Sequence, residues 1–150
     1  MFKSNTKEKS MASPVNVNDV SRIAAGTSVT GDLTSLQDMR IDGRFEGRLY
    51  CEGRLVVGEK GVVKGDVIGQ NVDFGGTMES GNFYVKDTLA LKAGCRIEGD
   101  IYYRRLEVEL EARFVGKSQV LSEEEYNKMA APMQALLHKE PEKKEQNTKK

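Results

Sequence analysis

Tryptophan is absent from this 150-residue chain, histidine occurs once and cysteine twice, and 23 basic residues balance 23 acidic ones to zero formal charge. Cys51 and Cys95 follow no CxxC or Cys/His spacing, and the single His138 lies far from both. No metal centre and no cofactor is therefore expected. The two thiols read as small side chains in or near the core of a reduced cytosolic protein. Zero net charge supplies no long-range field for polyanions, so a nucleic-acid partner is not expected, and little repulsion opposes self-association. No stretch approaches the ~20 apolar residues of a membrane-spanning helix, and the N-terminus lacks a signal-peptide core. The expected location is the cytoplasm.

Proline is missing from residues 21–121, although it occurs at positions 14, 132 and 141. That gap coincides with a distinct texture in which glycines recur and aliphatic residues alternate with polar ones. Residues 1–20 are rich in Ser, Asn and Lys and are expected to form a flexible tail. The pattern apolar, any, Gly, any, apolar appears at Val29-Thr-Gly31-Asp-Leu33, Phe45-Glu-Gly47-Arg-Leu49, Val63-Lys-Gly65-Asp-Val67 and Ile97-Glu-Gly99-Asp-Ile101. Gly81 and Gly116 continue it imperfectly, with Glu79 and Ser118 at expected apolar places. Successive glycines are 16, 18, 16, 18 and 17 residues apart. Half a period later comes a second apolar, any, apolar pair: Met39 and Ile41, Leu55 and Val57, Val72 and Phe74, Leu89 and Leu91, Leu106 and Val108.

Period-two alternation between glycine corners describes strands and excludes a helix of period 3.6. A unit of about 17 residues cannot bury its own inward side chains, but stacked copies form one continuous core, as in a β-helix. Six marked repeats at ~4.8 Å each give a rod roughly 25–30 Å long. Asp32, Asp66 and Asp100 would align on alternate rungs. They read as turn residues, because Arg48, Asn82 and Lys117 intervene and would neutralise a carboxylate ladder for cations.

After Leu121 the texture changes again. Ser122-Glu-Glu-Glu125 is a capping-box pattern leading into Met129, Met133, Leu136 and Leu137. Pro132 is expected to interrupt this short helix, which would cover the last rung or dock on a partner. From Glu140 onward lysines and glutamates without apolar residues predict disorder. The expected organisation is thus a tail over 1–20, a β-helix over 21–121 and a C-terminal tail over 122–150.

The run Ile41-Asp-Gly43-Arg-Phe45-Glu-Gly47-Arg-Leu49, with Val63-Lys-Gly65-Asp-Val67 after it, resembles the bactofilin family. So does Leu106-Glu-Val108 leading to Ala112-Arg-Phe114-Val-Gly116. The resemblance covers roughly residues 21–121 and implies an all-β fold, a right-handed three-sided parallel β-helix of about six rungs. It also implies nucleotide-independent homopolymerisation by end-to-end stacking. The implied filaments lie at the inner face of the cytoplasmic membrane, where they position cell-wall or morphogenetic proteins. Phe114 matches the phenylalanine the family keeps at the subunit junction; Val115, Leu106 and Val108 join it as candidate polymer-interface residues. Ordinary core packing is the competing reading, since Phe45 holds the equivalent inner place. Met1, Phe2 and Lys3, with Lys7 and Lys9 behind them, resemble the start of several bactofilins and are candidate membrane-contact residues; a merely solubilising tail is the alternative. Two departures stand out. Glu111 replaces the glycine usual before the final Ala-x-Phe, and the fourth repeat, Gly76-Thr-Met-Glu-Ser-Gly81, lacks its aliphatic.

No catalytic residue is expected. A hexapeptide-repeat acyltransferase, also a β-helix, needs strict six-residue repeats and a histidine in or beside them, whereas these repeats are uneven and His138 sits in the tail. A P-loop or nucleophile elbow is not found. A monomeric adaptor solenoid is the remaining alternative, and size-exclusion chromatography separates it from a polymer.

Overall fold

The computed structural model describes residues 20–137. Among them eleven strands precede one helix. They are β1 (Val20–Ile23), β2 (Ser28–Ser35), β3 (Asp38–Ile41), β4 (Arg44–Val57), β5 (Val62–Phe74), β6 (Thr77–Leu91), β7 (Arg96–Glu98), β8 (Asp100–Tyr103), β9 (Arg105–Val108), β10 (Arg113–Val115), β11 (Ser118–Val120) and α1 (Glu123–Leu137). Every strand pair is parallel, and the chain winds into a solenoid of about six turns.

Register resolves three stacked faces. Ile23, Ile41, Val57, Phe74, Leu91 and Val108 form one column on the first face. Val29, Phe45, Val63, Met78, Ile97 and Phe114 form another on the second. Leu33, Leu49, Val67, Phe83, Ile101 and Ser118 form one on the third. These columns converge on a single apolar core. Burying each such side chain stabilises the fold by about 1.5–3 kcal/mol, which no single turn could collect alone.

The uneven repeat has a local cause. The corner from first to second face takes four residues at 24–27, 58–61, 92–95 and 109–112, but only two at Asp42-Gly43 and Gly75-Gly76. Glycine steps of 18 span a long corner, and steps of 16 a short one. The corner from second to third face is always the marked glycine, with φ between 124° and 151° at Gly31, Gly47, Gly65, Gly81, Gly99 and Gly116. At each of the five after Gly31 a Cβ would strike the carbonyl oxygen of the glycine one turn below. Both the dihedral and the contact exclude other residues.

Both sequence departures find an accommodation. Register slips between Val63 and Lys64, so Val63 pairs with Met78, Lys64 with Ser80, and Glu79 is the extra residue of a bulge. The fourth repeat does not lack an apolar residue; Met78 fills the column, fully buried. Glu79 points outward to Arg44 at 2.9 Å. Glu111 holds φ 72°, in the corner position where Gly26 and Gly94 have 88° and 86°.

Helix α1 corrects the expectation of a cover on the last rung. Ser122 caps it, with Ser122 Oγ accepting from the Glu125 amide at 3.1 Å while Glu125 Oε1 accepts from the Ser122 amide at 3.1 Å. It then lies against the outer surface of the third face, burying Tyr126, Ala130 and Met133 against Tyr50 and Ile68. Gln134 Nε2 donates to the Tyr50 hydroxyl at 3.0 Å. Leu137 packs at the edge of this cluster and lines a groove together with Ser21, Leu33 and Met39 of the first turn. Pro132 does not interrupt the helix; the buried face outweighs the roughly 3 kcal/mol that a proline inside a helix costs through its missing N–H and its ring clash. No described helix is long and apolar enough to cross a membrane.

Candidate functional site: the two open ends

A solenoid built this way has unfinished ends. The last-turn strands β9, β10 and β11 each pair on one side only, with β6, β7 and β8. At the other end β1 and β2 likewise have a single neighbour. Among the described residues each end therefore presents a row of backbone donors and acceptors without a ladder partner. The helix, seated on the flank, does not cover the last turn.

The inward columns run into this C-terminal surface. Leu106 lies above Leu89 and Phe114 above Ile97, both partly buried against the core, while Val108 above Leu91 is 57% exposed. The structure thus brings Leu106, Val108 and Phe114 together at one end. Val115 differs: its column partner is Glu98 and it is 72% exposed, so it sits on the outer wall. Sequence reasoning missed two residues here. Val120, above Tyr103, is 65% exposed, and Leu110, in the last corner, is 89% exposed. The alternation Ser118-Gln-Val120 carried a signal for Val120; nothing in the repeat pattern pointed to Leu110. Met1, Phe2 and Lys3 lie outside the described residues.

The walls are polar and largely self-neutralised. Arg48 binds Asp32 through two hydrogen bonds of 3.0 and 2.7 Å, and this guanidinium holds the Asp32 carboxyl below its usual range. Asp66 accepts from Asn82 Nδ2 at 3.3 Å, and Asp100 accepts from the Lys117 amide at 3.0 Å. The aspartates are thus spaced by Arg48 and Asn82 along their column. Asp42, buried in a corner, accepts from Arg40 at 2.8 Å and Arg22 at 3.2 Å; Arg40 first, then Arg22, lowers its pKa against the desolvation that raises it. Burial pushes the Cys51 thiol up to about 11 and raises that of Cys95, so neither is an activated thiolate. Among the described residues no group of three or more His, Cys, Asp or Glu could hold a metal ion.

Comparison with known proteins gives this geometry its context. A family model named Bactofilin, described as polymer-forming cytoskeletal, matches residues 21–119. The chain belongs to the bactofilin family. Bactofilin BacO of Myxococcus xanthus is 32% identical over 94 residues, covering 63% of this chain and 74% of BacO. Bactofilin BacP of the same organism is 31% identical over 109 residues, 73% of this chain but only 45% of BacP. No solved structure matches. The bactofilin match ends within the last turn, so α1 lies beyond it. Bactofilins are polymer-forming cytoskeletal proteins, and self-association is the family property to which the open ends must be related.

Proposed function

We propose that this bactofilin assembles into filaments by stacking its terminal turns, with Phe114, Leu106 and Val108 at the C-terminal contact and Val115 at its outer edge. The observation that carries the reading is the coincidence, at one end, of strand edges and inward apolar columns that have no partner above them among the described residues. Stacking would continue the same ladders and columns across the junction. Each apolar side chain it buries stabilises the contact by about 1.5–3 kcal/mol. That drive resides in the ends themselves, so assembly proceeds without nucleotide. A contact between like ends is two-fold symmetric and gives a filament without polarity.

The filament is further proposed to lie at the inner face of the cytoplasmic membrane, held by Met1, Phe2 and Lys3, and to position cell-wall or morphogenetic proteins. One such tip binds weakly, but copies along a filament add as avidity. Support for this part is the sequence of the tip and the family resemblance. Electron microscopy of the purified protein tests assembly: filaments in buffer without nucleotide are expected, and a monodisperse monomer overturns the reading. Liposome co-sedimentation with and without residues 1–10 tests the tip, and unchanged binding after deletion sinks it.

A further inference from the structure

The outward columns of the three faces differ in chemistry. On the first face register aligns Arg22, Arg40, Val56, Asp73, Ala90 and Glu107. On the second it aligns Ser28, Arg44, Val62, Thr77, Arg96 and Arg113. The third carries Thr34, Tyr50, Ile68, Tyr84, Tyr102 and Gln119, a run of large apolar and aromatic side chains with no charge among them. Tyr84 and Tyr102 stack flat, with ring centroids 5.2 Å apart and planes 2° from parallel. An outer wall normally turns polar side chains to water, so a contiguous apolar stripe there marks a contact surface.

In this chain the stripe is occupied by α1. The helix starts with Glu123 4.0 Å from Lys86 and ends at the first-turn groove that Leu137 lines. Tyr50 and Ile68 are thereby 0% and 3% exposed, and the surface turned to solvent becomes Glu123, Glu124, Asn127 and Lys128. Beside the helix Tyr84, Tyr102 and Val120 still line a groove of about 320 Å³ with Glu125, Lys128 and Met129. The bactofilin match stops at residue 119, so the repeating fold ends before its cover begins. We propose that the outer stripe of the third face is a lateral contact surface for a second copy of this chain, held closed by α1, so that the docked helix confines self-association to the ends. A second copy is the fitting occupant because the stripe is uncharged, and two of them meet without like-charge repulsion. Aromatic, charge-poor surface is also what the core of an interface contains. The outward columns of the first and second faces would instead bring charges together. Along a stacked filament the stripe would recur at every subunit, and weak lateral contacts would add as avidity.

Undocking the helix in the full chain tests this. Ala130 is fully buried against the stripe, so Ala130→Glu places an unpaired carboxylate in the contact without touching a strand. Met133→Asp does the same one turn further on. Trypsin should then cut at Lys128 roughly tenfold faster than in the parent, since cleavage follows local opening. Low-speed centrifugation, which collects laterally bundled filaments and leaves single ones behind, should bring down most of either variant and little of the parent. Adding Ile68→Lys should return the variants to the supernatant, because each stripe would then carry a charge to its copy. A variant that is cleaved faster yet stays in the supernatant overturns the proposal. So does bundling that Ile68→Lys does not reverse, or a helix that stays protected in both variants. Where no filaments form, including through Phe114→Arg, the same undocking should turn a monomer into a side-by-side dimer in sedimentation velocity. A persistent monomer there overturns the lateral surface and leaves the question of end-to-end stacking separate.

Discussion

Replacing Gly65 by Ala confronts two obstacles that can be separated experimentally. Gly65 has φ 131°, and a Cβ there would collide with the Gly47 carbonyl oxygen, backbone that cannot swing aside. Gly31 has φ 124° but no described atom within 4 Å of its Cβ position, because it begins the column and no described turn lies below it. The dihedral alone costs about 1–3 kcal/mol at either site. Forcing one turn away from the next adds about 1–3 kcal/mol, the usual scale of overpacking. Gly65→Ala should therefore be less stable than Gly31→Ala by about 1–3 kcal/mol, a large share of the ~5–15 kcal/mol that holds a domain folded. Urea unfolding followed by circular dichroism measures this, at one protein concentration because assembly is linked to folding. Equal losses at the two positions would refute the claim that turn-to-turn contact, rather than φ, governs the inner glycines.

Phe114→Arg should leave the circular dichroism of a folded solenoid and abolish filaments in electron micrographs, since stacking would desolvate an unpaired guanidinium; normal filaments would remove Phe114 from the junction. Glu111→Gly should raise the urea midpoint by an amount worth about 1 kcal/mol, because it relieves a left-handed φ at the cost of a more flexible unfolded chain; a lower midpoint contradicts this. The Asp42 carboxyl, whose pKa is lowered in the folded state, contributes stability above the unfolded pKa that is lost as pH falls through the folded one. Asp42→Asn should accordingly flatten the acid limb of a stability–pH curve, and an unaltered limb would discount the Arg40 and Arg22 pairing. Burial raises the Tyr50 phenol from 10.0 to about 12. Its contribution is complete below pH 10 and fades as pH rises through about 12, so phenolate absorbance should appear late and together with loss of helical signal.

Much of the architecture was legible because it repeats. Glycine spacing and the paired apolar positions identified the stacked strands, since every turn imposes the same need for a corner and for inward side chains. What does not repeat was harder to read. Glu79 looked like a broken column because a bulge shifts register by one residue, and a spacing rule has no means of choosing Met78 over Glu79 without the neighbouring strand. The path of α1 depends on Tyr50, Ile68, Tyr84 and Tyr102, which face outward on the third face and form no motif until register aligns them. Pro132 misled for a related reason, as local propensity gave way to tertiary burial. At the candidate ends, Leu106, Val108 and Phe114 were recognisable as column members, but Val115 and Val120 exchange importance only once inward and outward positions are assigned.

The ladders between turns run parallel to the rod. Tension along the axis therefore loads all the bonds between two turns at once and shares the force among three faces, instead of opening them one after another. Each turn is spliced to the next by covalent chain as well, which a junction between molecules lacks. A filament pulled lengthwise should fail at whole-subunit steps while its individual rods stay wound, and the fragments would be ready to anneal again.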